Sequence, residues 1–203
     1  MERKFDDIDI ALYHLIFIGN IIERTFKAFS NVIGRVDNDT ELVFYVNTSS
    51  MIVLQADAFL EEYHQYLRSD KSEMMATIEN IKRAVKPSLK LINQWKERKE
   101  FRNNVLAHNL RNGGKSVFER GLSSFDVPKE GADLHVLVSC IGMIKDVFQS
   151  AFQERIAAVQ KVLDESSEAK APRRYDRNTF EAAIESVRLE INENIKKLHR
   201  GEL

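Results

Sequence analysis

Apolar residues recur every three or four positions over most of this chain, and that period constrains the fold more than any other sequence feature. It matches one face of an α-helix, which turns once in about 3.6 residues. The stripe is clearest from Leu12 to Ile33 and from Leu137 to Leu163. Only eight glycines and three prolines interrupt 203 residues, too few for a protein of many strands and tight turns. The sequence therefore predicts an all-α fold.

Capping and breaking residues divide the pattern into helices. Asp6 or Asp7 can begin the first helix, and Asp39 or Thr40 the second. Pro87 must kink or split the third, because proline lacks a backbone donor and clashes with the preceding turn. The predicted helices cover residues 6–33, 39–67, 72–111, 133–163 and 178–200, with a long loop at 113–131.

Helices of this length with one apolar face pack best side by side. We therefore expect an antiparallel four-helix bundle in residues 1–165 with an additional C-terminal helix. Residues 166–177, which are charged and small and include Pro172, are predicted to be a linker. Residues 178–203 would then form a helix that packs on the bundle or on a second subunit. The apolar stripes of the last two helices exceed what one bundle needs, which predicts a homodimer.

Charge and cysteine content narrow the functional classes. The formal net charge is −1, so the surface as a whole is not built to bind nucleic acid. Cys140 is the only cysteine, which excludes an intrachain disulfide and a cysteine-based zinc cluster. The apolar run from Ile10 to Ile22 follows acidic residues and is too short to span a membrane. We expect a soluble cytoplasmic protein without a membrane association.

One segment departs from the neutral background. Residues 96–115 contain six basic residues and two acidic ones. A basic patch of this kind is often only a solvated helix end, where cations complement the helix dipole. Residues 102–108 nevertheless read Arg-Asn-Asn-Val-Leu-Ala-His. An arginine followed at this spacing by a histidine, with a polar residue after the first and alanine before the second, resembles the motif of the HEPN superfamily. Its abortive-infection branch is the nearest likeness.

The resemblance implies a metal-independent endoribonuclease that works as a homodimer in toxin or antiphage defence biology. In the toxin role, an antitoxin protein would be a partner. RNA would be the substrate, and no cofactor or metal would be needed. His108 would be the general acid or base, since imidazole titrates near neutral pH. Arg102 would hold the phosphate and its developing charge. The supporting or RNA-binding residues would be Asn103, Asn104, Arg111, Lys99 and Lys115. Asn109 and Leu110 depart from the polar or acidic residue that many relatives carry there.

Helix geometry limits how the pair can meet. At about 100° per residue, six steps leave Arg102 and His108 roughly 120° apart around a straight helix. The arginine must curve around the helix, the helix must be distorted, or a second subunit must complete the site. All three arrangements stay open at this point.

The other candidate residues are better explained by packing. His14, His64 and His135 occur singly in helical patterns, where a histidine is usually structural. Glu61 and Glu62 lie near His64, but adjacent residues of a helix point in different directions, which argues against a metal site. Cys140 lies in an apolar run and is predicted to be a core residue. The alternative to catalysis is a helical dimer that serves as a protein–protein interaction module.

Overall fold

A computed structural model describes residues 5–68, 72–103, 111–112, 115–116, 125–167 and 177–200. Within them the protein is all-α apart from one two-residue β ladder, as the sequence predicts. The helices are α1 (Asp7–Val32), α2 (Asn38–Glu61), α3 (Ser72–Ala84), α4 (Lys86–Ile92), α5 (Arg98–Phe101), α6 (Gly131–Ala151), α7 (Gln153–Ser167) and α8 (Arg177–His199). Strands β1 (Arg111–Asn112) and β2 (Lys115–Ser116) pair antiparallel, with Arg111 opposite Ser116.

The first helix begins and ends where the sequence predicts, whereas the second begins at Asn38, just before the predicted start at Asp39 or Thr40. The Asp6 amide donates to the Asp9 carboxylate (3.2 Å) at the start of α1, and α1 ends just before Gly34, whose φ is 76°. Asp37 caps α2 by accepting a hydrogen bond from the Thr40 amide at 2.9 Å. The sequence predicts this helix up to residue 67 but gives no sign that its last turn differs from an α-helix. Residues Glu62–Tyr66 continue α2 as a π-helix, in which the backbone is wider than in an α-helix.

The third predicted helix is broken twice. Pro87 splits it as expected, since α4 begins at Lys86 after a turn at Val85. A second break at residues 93–97 separates α4 from the four-residue α5. The prediction of helix up to residue 111 is wrong at its end, because Arg111 lies in β1. Residues 104–110 lie outside the described part of the chain.

The fourth predicted helix is two helices. α6 begins at Gly131 with Glu130 as its N-cap, so the prediction that Asp133 is the cap is wrong; the Asp133 carboxylate instead accepts from the Lys129 amide at 3.3 Å. Phe152 separates α6 from α7 and is itself 8% exposed. The stripe alone does not show this break, because Phe152 stays in register with the apolar face.

The core lies where α1 packs along both α2 and α6, with α4 packed on α6. Fully buried side chains from these helices include Leu12, Leu15, Ile52, Phe59, Ile92, Leu137, Ile141 and Phe148. Cys140 is also buried in this cluster, as predicted. The arrangement as an antiparallel four-helix bundle stays a prediction. Burial of this apolar surface is the main stabilising contribution.

The chain divides into two compact units, residues 1–163 and 164–203. The second unit contains α8, in which the side chains of Ile184, Val187 and Ile191 are each more than half exposed. Ion pairs such as Arg188 with Glu185 (3.3 Å) lie along the same helix. The linker predicted at 166–177 falls mostly on residues 168–176, which are outside the described residues.

Among the described residues, the helix Asn38–Tyr66 has the length and composition of a membrane span, with a mean hydropathy of 1.2 over an 18-residue window. Its residues Ile52, Val53, Ala56 and Phe59 are fully buried inside the protein. The core helix of a soluble protein has the same properties, so this is weak evidence for a membrane. The cytoplasmic location stays a prediction.

Candidate functional site

Arg102 follows directly after α5 and contacts two carboxylates of α2. Its Nη1 lies 2.7 Å from Asp57 Oδ2 and 3.3 Å from Glu61 Oε2. Its Nε donates to Asn103 Oδ1 at 3.4 Å. The Arg102 side chain is 27% exposed. The guanidinium is therefore held in place by ion pairs and still meets solvent.

A polar cavity of about 260 Å³ opens beside this guanidinium. It lies between α2 with its π-helical turn and the segment from Asn93 to Arg102. Its lining comprises Asp57, Leu60, Glu61, His64, Gln65, Asn93, Arg98, Lys99 and Arg102. Three cations therefore face two carboxylates, a histidine and two amides. Such a set of hydrogen-bond donors and positive charges suits an anionic ligand.

Arg98 shapes the floor of this cavity. Its Nη1 donates to the backbone carbonyls of Ile92 and Trp95, and its Nη2 donates to Asn93 Oδ1 at 3.2 Å. Ile92 is the last residue of α4, and its carbonyl also accepts from the Trp95 amide at 3.4 Å, so Arg98 stabilises the turn that follows the helix. Burial lowers the pKa of Arg98, against the opposing effect of Asp57 and Asp126. Within the described residues, its Nε is a buried nitrogen with no hydrogen-bond partner.

Residues 125 and 126 contact the segment that contains α5. The Asp126 carboxylate accepts from the Lys96 amide (3.1 Å), and the Asp126 carbonyl accepts from the Glu97 amide (3.2 Å). Phe125 packs edge-on against Phe101, with ring centroids 5.6 Å apart. Phe101 is 1% exposed. These contacts fix α5, and with it the position of Arg102.

The opposite wall is one face of α2 and its π-helical turn. Asp57, Glu61 and His64 are spaced four and three residues apart, a spacing that places side chains on one side of a helix. His64 contacts the Tyr63 ring edge-on at 4.9 Å. Burial lowers the pKa of His64, and the positive charges of Lys82 and Arg98 lower it further. The imidazole is therefore neutral at neutral pH.

Part of the predicted site lies at this cavity. Arg102 and Lys99 line it, and Asn103 is the hydrogen-bond partner of Arg102. His108 and Asn104 lie outside the described residues. The convergence of Arg102 with His108 therefore stays a prediction.

The remaining predicted residues are Arg111 and Lys115. Their backbones form the β ladder, with Arg111 in β1 and Lys115 in β2. Their side chains lie outside the described part of the structure. The role of both as RNA-binding residues stays a prediction.

Six further polar residues line the cavity and are not among the predicted site residues. They are Asp57, Glu61, His64, Gln65, Asn93 and Arg98. The shared face of Asp57, Glu61 and His64 is visible in the spacing, but nothing in the spacing indicates that this face meets Arg102. His64 in particular, which the sequence assigns to packing, lies on the cavity wall.

No group of three or more potential metal ligands occurs among the described residues. Arginine, lysine, amide and imidazole groups instead supply hydrogen bonds and positive charge to this cavity. No protein-family model, curated protein or solved structure matches this chain.

Proposed function

We propose that this protein is a HEPN-type metal-independent endoribonuclease, in which Arg102 stabilises the scissile phosphate and His108 is the general acid or base. One observation carries the proposal. The guanidinium of Arg102 lies on the wall of a polar cavity that also contains two further cations. The motif resemblance, drawn from the sequence, supplies the reaction class.

The cations of this cavity differ in the groups of the protein that they already bind. Arg98 donates to backbone carbonyls and holds the fold of residues 92–98. Lys99 is an exposed residue on the cavity wall, and Arg102 is bound only by side chains. Lys99 and Arg102 are therefore the cations that a phosphodiester would meet. A planar guanidinium can bind two phosphate oxygens at once, which suits Arg102 to the pentacoordinate transition state.

The carboxylates of Asp57 and Glu61 position the guanidinium before RNA binds. An arginine side chain without such partners has many rotamers, and holding one of them lowers the entropy lost on binding. A bound phosphate would compete with Glu61, whose side chain is 41% exposed and whose contact is the longer one. Asp57, 14% exposed and 2.7 Å away, would remain as the fixed partner.

The proposal includes a homodimer, with the site completed between subunits. Its support is exposed apolar surface within the first unit. Val136, Met143 and Val147 of α6 are each about 40 to 50% exposed and are spaced seven and four residues apart, on one helix face. A toxin role would also imply an antitoxin protein that covers the cavity. A cytoplasmic, RNA-directed defence function fits these expectations.

The experiment is cleavage of single-stranded RNA by the purified protein in EDTA, with product ends identified by mass spectrometry. We expect 2′,3′-cyclic phosphate ends. Arg102→Ala and His108→Ala should each slow cleavage about 100-fold or more. Arg188→Ala, which removes an exposed arginine of α8, is the matched control and should leave the rate unchanged. Wild-type protein without cleavage of any RNA would contradict the proposal.

A second function, a non-catalytic interaction module, is favoured by a different observation. Arg102 has a close ion pair with Asp57, which is how a purely structural arginine is usually held. In that case Arg102→Ala would lower the free energy of unfolding, and neither the wild-type protein nor the variant would cleave RNA. Comparing the denaturation midpoint of this variant with its cleavage rate distinguishes the two functions.

A further inference from the structure

His64 stands on the cavity wall opposite Arg102, and the proposed chemistry has not used it. It lies in the π-helical turn Glu62–Tyr66, which continues the face of α2 that holds Arg102 through Asp57 and Glu61. A π-helical turn shifts the side chains that follow it relative to a regular α-helix, and such turns occur often at functional sites. His64 is exposed, whereas its neighbour Tyr63 is 2% exposed. The imidazole is therefore accessible from the cavity.

The charges around His64 come from several elements. From α2 the cavity receives Asp57 and Glu61, and from α5 and its end Arg98, Lys99 and Arg102. The charge of Lys82 on α3 acts on His64, and on α1 His14 lies 3.5 Å from Glu62 in the same π-helical turn. Burial first, then Lys82 and Arg98, lower the pKa of His64. A neutral imidazole can accept a proton at neutral pH, which is the property of a general base.

Cleavage of RNA by its own 2′-hydroxyl requires two proton transfers. The 2′ oxygen loses its proton as its bond to phosphorus forms, and the 5′ oxygen gains one as its bond to phosphorus breaks. No electrons are exchanged with another molecule. The proposed function gives one transfer to His108 and leaves the other without a group. A single imidazole cannot donate and accept in the same step.

We infer that His64 is the general base of this cavity, which takes the proton of the 2′-hydroxyl while Arg102 stabilises the phosphate. This inference rests on the proposed function, and it assigns His108 the other role, protonation of the leaving 5′ oxygen. In this role the imidazole of His64 would contact the 2′-hydroxyl of the bound RNA.

Two variants and a control test it. His64→Ala removes the imidazole, and His64→Gln keeps a polar side chain of similar reach that cannot take the proton. His14→Gln alters a histidine that contacts the same π-helical turn and does not line the cavity. The substrates are a single-stranded RNA oligonucleotide and the same oligonucleotide with a 5′-bridging sulfur at the linkage that the wild-type protein cleaves. The sulfur leaves without a proton, so this substrate needs a base but no acid.

We expect both His64 variants to cleave both substrates about 100-fold or more slowly, and to lose the rise of kcat/KM with pH that marks a base. His108→Ala should slow the normal RNA and cleave the sulfur substrate at nearly the wild-type rate. His14→Gln should behave as the wild type with both.

Several outcomes would overturn the inference. If His64→Gln cleaves the sulfur substrate at the wild-type rate while His108→Ala fails on normal RNA, only the role of His64 is wrong. If circular dichroism shows that both His64 variants are unfolded, His64 is a packing residue. If the wild-type protein cleaves neither substrate, the proposed function fails and the inference fails with it.

Discussion

Lys145 and Arg102 both form ion pairs with carboxylates, but Lys145 is enclosed by helices whereas Arg102 faces an open cavity. Lys145 of α6 lies 2.5 Å from Glu23 of α1 and 3.2 Å from Asn20, and its side chain is 7% exposed. Arg102 has comparable contacts with Asp57 and Glu61 but faces an open cavity. The first cluster joins two long helices, whereas the second follows a four-residue helix. An ion pair enclosed by helices stabilises the fold, and one beside a cavity is available to a ligand.

Glycines enclose the Lys145 cluster. A Cβ atom at Gly19 would lie 2.9 Å from Lys145 Cδ, and one at Gly142 would lie 2.6 Å from Glu23 Oε1. Burial lowers the pKa of Lys145, but the carboxylates of Glu23 and Asp146 raise it by more, so the pKa is raised overall. The ammonium therefore stays charged in the core. At the Arg102 cluster the groups around the guanidinium are side chains and open space.

The largest effect on stability is expected at the enclosed cluster. Lys145→Ala leaves the Glu23 carboxylate without its cation and opens a gap between α1 and α6. The free energy of unfolding should fall by about 3 kcal/mol, at the low end for a buried pair because Glu23 is 36% exposed. Urea denaturation measures it. Lys90→Ala, at an exposed position of α4, is the control and should change stability by less than about 0.5 kcal/mol.

Arg102→Ala should show the reverse pattern. Cleavage of RNA should slow about 100-fold, which corresponds to about 2.7 kcal/mol of transition-state stabilisation. The free energy of unfolding should change by about 1 kcal/mol or less, because the pair is partly solvated. The contrast between the two clusters would be wrong if Arg102→Ala lowered the free energy of unfolding as much as Lys145→Ala does and neither variant cleaved RNA.

A third, smaller effect tests the glycines. Gly19→Ala forces a Cβ atom against the Cβ, Cγ and Cδ atoms of Lys145, at 2.9 to 3.2 Å. We expect a loss of about 1 to 3 kcal/mol from overpacking, although alanine favours a helix more than glycine does. Gly131→Ala is the matched control, since nothing lies within 4 Å of the added Cβ. Its thermal midpoint should stay the same or rise. Equal midpoints for both variants would show that α1 and α6 can separate without cost.

The smallest effect concerns pH. The pKa of His64 is lower in the folded protein than the ordinary value of 6.5, because burial and nearby cations disfavour its charged form. Below pH 6.5 the unfolded chain therefore binds the proton more strongly, and stability is lost as the pH falls through this range; above it the contribution is fully present. His64→Gln should lose less stability than the wild type between pH 7 and pH 5, as measured by urea denaturation. Parallel pH curves for the two proteins would contradict this environment for His64.

The sequence predicts the helices better than it predicts their breaks. Periodicity and caps place α1, α2 and α8, and Pro87 marks one break. At the break at residues 93–97, Arg98 binds the carbonyls of Ile92 and Trp95, and the Asp126 carboxylate binds the Lys96 amide, which would be the partner of the Ile92 carbonyl in a continuous helix. A side chain that competes for backbone hydrogen bonds in this way leaves no periodic signal. The apolar pattern likewise gives no sign of the π-helical turn at Glu62–Tyr66.

The same difference applies to the site. Arg102 and Lys99 stand out because they belong to a basic segment with a recognisable motif. Asp57 and His64 are ordinary residues of a long helix, and they become part of the site only because α2 passes beside α5. Contacts between segments that are far apart in the sequence depend on how the helices pack, and a single sequence contains no pattern that predicts them.

The contacts that fix α5 also have an evolutionary consequence. Phe101 packs on Phe125, and Asp126 binds the amides of Lys96 and Glu97, so residues 101 and 125 are held next to each other. The free energy of closing such a loop grows only slowly with its length. Changes in the number of residues between these two anchors should therefore accumulate in evolution at little cost to the packing of the core.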